Sequence, residues 1–139
     1  MPVTINRIIE RTTSETDVID ITSKVVSNLK DCEIINGSVN LFLPGSTAAL
    51  TTVEFESGAV NDLKKAISRL APHEDYYEHN ERWGDGNGYS HVRAALLGPS
   101  LSIPVISGNL SLGTWQQIVL LDFDNCPRER NIIQQIIGI

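Results

Sequence analysis

The chain has 139 residues, of which 41% are apolar and 20% charged, a balance that supports one buried core and gives no sign of disorder. Its net charge of −6 argues against non-specific binding to nucleic acid or to an anionic membrane, both of which need a basic surface. It leaves room for an anionic small molecule, because a local cation can reverse the field inside a cleft.

Val3 to Thr13 is β-branched and roughly alternating, which predicts a first strand. Ile21 to Lys30 carries Ile21, Val25, Val26 and Leu29 at helical spacing, with Asp20 or Thr22 as cap. Asn36-Gly37 turns the chain into a strand through Val39, Leu41 and Leu43 that ends at Pro44-Gly45. Ala48 to Glu54 reads as the next strand, holding Glu54 at its rigid end. Gly58 to Leu70 is the clearest helix, with Val60, Leu63, Ile67 and Leu70 as its apolar face and Pro72 beyond it.

Tyr77 to His91 is rich in Gly, Asn and Asp and reads as a loop. Ser90 then caps a short helix to Leu97, stopped by Gly98-Pro99. Leu101, Ile103 and Val105 alternate up to a turn at Ser107-Gly108-Asn109. Trp115 to Phe123 is apolar on both faces at its centre, as expected of a strand between layers or against a partner chain. Asn131 to Ile139 closes the chain as a strand that has to be covered or paired. The expectation is a single α+β domain over residues 1–139, a largely antiparallel sheet curling on itself with two longer helices and one short one.

The chemistry-bearing residues cluster in a few runs. His79 and His91 flank the glycine-rich loop, and neutral imidazole is a common metal ligand. Solvated side chains are the plainer reading of the same pattern. Ser46 and Thr47 follow Pro44-Gly45 in a turn that can hold a phosphate or simply satisfy its own backbone. Glu54 is a candidate general base or ligand-orienting carboxylate, against a solvated strand end. Asp85 can touch a cation or close an Asx turn. Trp115 and Gln116 can wall and hydrogen-bond an aromatic ring, or flank a ladder. No Rossmann fingerprint, P-loop or CxxC pair is present. Met1 to Arg7 lacks a signal-peptide core, no window reaches the ~18 apolar residues of a membrane span, and Cys32 and Cys126 stand apart. A cytoplasmic protein with reduced thiols is expected.

Taken in order, Pro44-Gly45-Ser46-Thr47-Ala48-Ala49-Leu50-Thr51, Glu54, Tyr77 to His79, Asn87 to His91 with Ala94 to Gly98, Ser102 to Val105, Leu112-Gly113-Thr114-Trp115-Gln116-Gln117 and Pro127-Arg128 resemble the YjbQ-like family, also called the secondary thiamine-phosphate synthase family. The likeness spans nearly the whole chain. It implies a half-barrel-like sheet, a homotrimer, and a polar site near subunit boundaries where histidines hold a divalent metal ion such as zinc or magnesium. It also implies a weak activity joining hydroxymethylpyrimidine pyrophosphate to a thiazole phosphate. Carried over by position, His79 and His91 are the metal ligands, Glu54 the family's acid, and Trp115 with Gln116 its strand motif; beside them Asp85 is a second candidate catalytic acid, and Ser46, Thr47 and Asn87 join Trp115 and Gln116 as candidate contacts of a phosphorylated small molecule. Relatives of that kind often have His at the position of Gly45, or else at the position of Tyr89; both lack imidazole here. The alternative is a trimeric binding or scaffold protein that has lost part of its metal site. The apolar strand at Trp115 to Phe123 and the apolar tail add to the expectation of a trimer.

Overall fold

The structure is a computed structural model that describes residues 2–14 and 16–139. Among the described residues, eight strands and four helices run in the order β1 (Val3–Arg11), β2 (Asp17–Asp20), α1 (Thr22–Asp31), β3 (Gly37–Phe42), β4 (Ala48–Val53), α2 (Ser57–Leu70), α3 (Glu78–Trp83), α4 (Gly88–Leu97), β5 (Ser100–Ile106), β6 (Asn109–Leu110), β7 (Gln117–Asp122) and β8 (Glu129–Gly138). The strands form two sheets, ordered β1-β8-β3-β5-β6 and β2-β7-β4, and every pairing is antiparallel. This is the curled α+β architecture expected.

Two cores lie on either side of the smaller sheet. Ile118 and Leu120 of β7 face the larger sheet, where Ile8, Val39, Leu41, Ile103, Ile132 and Ile136 meet Val25 and Leu29 of α1. Val119 and Leu121 face the other way, onto Ile67 of α2 and Ala94 of α4, with Phe123 beside them. A strand so placed buries both faces, which is why its sequence is apolar without alternation. β8 sits between β1 and β3 and is paired along its length. Both apolar runs are therefore satisfied inside one chain, and they give no support to a trimer. What the fold does leave open is the outer face of the larger sheet, where Val3, Ile5 and Ile9 of the edge strand β1 and Phe42 of β3 are about half exposed.

Local differences from the sequence reading have identifiable causes. The span expected as a loop contains α3, a single short turn-and-a-half whose stability is tertiary. Asn80 of α3 accepts a hydrogen bond from the Gly88 backbone N–H at 2.9 Å. A Cβ at Gly88 would stand 2.5 Å from Tyr77 Cβ, so glycine permits this close approach of α3 to α4. Asn87, not Ser90, precedes the first turn of α4, and Ser90 instead donates to the Asn87 carbonyl at 2.7 Å and to its Oδ1 at 2.6 Å. Leu70, expected on the apolar face, is the last residue of α2 and is exposed. Glu56 caps α2, accepting from the backbone N–H groups of Gly58 and Ala59, whereas the side chains of Asp20 and Thr22 bond locally ahead of α1.

Candidate functional site

The two histidines converge. His79 projects from α3 and His91 from the first turn of α4, with ring centroids 4.4 Å apart and planes tilted by 41°. Asp85 Oδ1 lies 3.5 Å from His79 Nδ1, which is buried and makes no hydrogen bond of good geometry among the described residues. Asp85 also closes an Asx turn, accepting from the Asn87 N–H at 3.2 Å, and its carbonyl accepts from Asn125 Nδ2 at 2.8 Å. It belongs to the histidine cluster and to the turn at once.

His91 extends the cluster into a cavity of about 190 Å³ lined by Gly45, Ser46, Ala48, Ala94, Ala95 and Pro99. The Ser46 side chain, one of the two expected to hold a phosphate, is exposed here. Thr47 is not available in that way. Its hydroxyl is buried and donates to Asp124 Oδ2 at 2.9 Å while accepting from Arg130 Nη2 at 2.7 Å. Asn87 is likewise turned inward, its Oδ1 occupied by Ser90 and by the Asn125 N–H. Both carry structure beneath the cavity and do not line it. Tyr89 is fully buried and packs its ring against His73 and Arg93.

Glu54 and Trp115 stand elsewhere in the chain. They line a separate, wider groove of about 410 Å³ with Asp20, Phe55, Glu56 and Gln117. Gln116 ties its own turn to β4, accepting from the Gly113 N–H and donating to Thr52 Oγ1, both at 3.0 Å. The Leu-Gly-Thr-Trp-Gln run is thus a turn stitched to β4, with its indole exposed. Within one chain the expected set of residues splits between two concavities.

The sequence reading missed the polar cluster under the cavity. Asp122 ends β7, Asp124 follows it, and Arg130 occupies an inward position on β8. Arg130 donates to both carboxylate oxygens of Asp122, at 2.7 and 2.9 Å, and Thr12 donates to the same carboxylate at 2.8 Å. Burial pushes the Asp124 carboxyl up, but hydrogen bonds from Arg128, Thr47 and the Cys126 N–H outweigh it and hold the group below its ordinary value. The same pair raises the Arg128 guanidinium, first through its hydrogen bond to Asp124 and then through the charge. Two acids two residues apart at the end of an otherwise apolar run were the available signal, since a charge on a buried strand needs a partner.

A metal ion would find two imidazoles here and little more. Among the described residues, no group of three or more His, Cys, Asp or Glu side chains converges as a metal site. A tetrahedral site wants three or four protein donors, so one chain does not complete it.

Residues 6–139 match the family model described as UPF0047 protein YjbQ-like. A UPF0047 protein of Methanothermobacter thermautotrophicus is 40% identical over 128 residues, covering 92% of this chain and 87% of its own length. The Bacillus subtilis UPF0047 protein YugU is 33% identical over 129 residues, covering 92% and 95% respectively. Among solved structures, a hypothetical protein of Aeropyrum pernix superposes with a TM-score of 0.91 at 31% identity, over 98% of this chain and 99% of the other. A YbjQ-like protein of unknown function from Sulfolobus solfataricus gives 0.89 at 29% identity, over 99% and 100%. Backbone and sequence match over almost the full length, and the chain belongs to the UPF0047 YjbQ-like family.

Proposed function

We propose that this chain is a binding protein for a phosphorylated small molecule, held in the cavity between the Gly45–Ser46 turn and the first turn of α4. The observation that carries this reading is the convergence of His79 and His91 beside a concavity that offers the Ser46 hydroxyl and small apolar walls. Imidazole and hydroxyl donors in a partly dry setting suit an oxyanion better than a neutral ligand. Titration with inorganic phosphate and simple phosphomonoesters by calorimetry tests it. Saturable binding that a His79→Ala, His91→Ala variant loses supports the reading, and no binding to the parent protein ends it.

A second reading is the weak thiamine-phosphate synthase-type activity. It is favoured by the exposed Trp115 indole and Glu54 in one groove, a wall and a carboxylate suited to a heteroaromatic ring. That groove and the histidine cavity are distinct within one chain, so the activity needs them joined across subunits. Incubation with both precursors and a divalent ion decides it: product formed no faster than by the double alanine variant removes this reading. Zinc or magnesium at His79 and His91 requires further donors from water, ligand or a neighbouring chain, and elemental analysis of purified protein tests it.

Self-association as a homotrimer is part of the same proposal. Its support is the half-exposed apolar face of β1 and β3, which water covers poorly. Sedimentation showing a monomer at micromolar concentration would overturn it. Nucleic acid and membrane surfaces are not proposed as partners, given the net charge of −6, and among the described residues no helix is long and apolar enough to cross a membrane. The two cysteines are free, in keeping with a reducing, cytoplasmic setting.

A further inference from the structure

We propose that Arg130 is the anion-recognition residue of this cavity, donating through Nη1 to an oxygen of a phosphoryl group seated at Gly45. The inference rests on the reading of the cavity as an anion site and assigns the residue that anchors the ligand.

A guanidinium has five N–H donors. In Arg130, Nε and Nη2 are committed to Asp122 and Thr47. Nη1 makes no hydrogen bond to any described residue, although the side chain is only 9% exposed. Unlike the sealed Nδ1 of His79, this nitrogen keeps contact with solvent, so an incoming oxygen can replace water there.

Gly45 explains where Nη1 is directed. This cavity-lining residue has φ +142°, and a Cβ built on it would stand 3.2 Å from Arg130 Nη1. Leaving aside the glycine and its chain neighbours, no other heavy atom lies within 4 Å of that point. A ligand oxygen in the volume that glycine leaves open would be at hydrogen-bonding distance from Nη1. Ser46 and His91 line the same cavity as Gly45, and Arg130 stands behind that glycine.

The fork on Asp122 fixes the guanidinium plane before any ligand arrives, so little rotamer freedom is lost on binding. Asp122 balances Arg130, and Arg128 balances Asp124, so the charges beneath the cavity sum to zero. Recognition is then by directed hydrogen bonds at short range, not by a broad positive field, which a chain of net charge −6 does not offer.

The probe is inorganic phosphate. Titrated into the wild-type protein, it is expected to move the side-chain nitrogen and proton NMR signals of Arg130, with the same saturation seen by calorimetry. A Gly45→Ala variant, which sets a methyl group in the volume glycine leaves open, on a backbone strained at φ +142°, is expected to bind about tenfold more weakly or worse, the loss of one charge-assisted hydrogen bond. Phosphate binding with unmoved Arg130 signals, or with undiminished affinity in a folded Gly45→Ala protein, overturns the role of Arg130 and leaves the cavity reading intact. No phosphate binding to the wild type, with or without zinc, removes both. Because the wild-type spectrum alone can refute the claim, the test survives a variant that fails to fold.

Discussion

Replacing Arg130 with Met tests whether the polar cluster between β7 and β8 works as an ion pair or as filler. The side chains of Arg130 and Asp122 are 9% and 3% exposed, and Asp122 would keep only the Thr12 hydroxyl and the Asp124 N–H as donors. Removing one partner from such a pair leaves an uncompensated buried charge, which costs about 3–5 kcal/mol. At roughly 2 cal/mol/K of unfolding entropy per residue, a 139-residue domain has about 0.3 kcal/mol/K at its midpoint, so Tm falls by about 10–17 °C. Urea unfolding and thermal melts of Arg130→Met, Asp122→Asn and the double variant close the cycle. The neutral double variant is expected to regain at least half of the single variant's loss, since no charge is then stranded. A single variant within about 1 kcal/mol of wild type, or a double variant no better than Arg130→Met, would refute the reasoning.

Three other expectations follow from the geometry. Gly88→Ala forces a Cβ against Tyr77 and should cost about 1–3 kcal/mol while loosening α3; thermal melts read the cost, and His79–His91 ring contacts in NMR should weaken. Thr47→Val removes the hydroxyl that links Arg130 to Asp124 and should cost about 1–3 kcal/mol by urea unfolding. Glu56 and Asp124 both have carboxyls held below their ordinary values of 4.5 and 3.8, Glu56 chiefly by the Gly58 and Ala59 N–H groups. Their contribution is complete above those values and is lost as pH falls through the lower folded-state values, so stability should be level near neutrality and drop in acid. Glu56→Gln should flatten the start of that fall, and an unchanged acid profile counts against the assignment.

Much of the fold could be read from pattern because burial imposes it locally. The unbroken apolar stretch of β7 announces a strand covered on both faces, whereas the apolar residues of β8 come in pairs that mark a strand without saying that Ile132, Gln134 and Ile136 are its inward positions. The helix α3 was hidden because what stabilises it lies outside it: Asn80 meeting Gly88, and Tyr77 resting where glycine leaves room. The pairing of His79 with His91 was legible as two imidazoles around a polar loop, but their distance depends on that unforeseen helix. Thr47 and Asn87 were misassigned as ligand contacts because a hydroxyl or amide in a turn looks the same whether it faces water or a buried carboxylate. Arg130 is not legible because Thr47 reaches it from the turn before β4, 83 residues away, and its pairing with Asp122 depends on how the chain turns between β7 and β8.

The carbonyl of Thr47 accepts from the Phe123 N–H at 3.0 Å, directly after the central strand of the smaller sheet. One wall of the cavity is therefore bolted to the part of the protein whose amides should exchange only when the whole domain opens. Such a wall does not need to be ordered by its occupant. Association should proceed in one step, without slow closing, and the heat capacity change should reflect only the surface covered by the ligand itself.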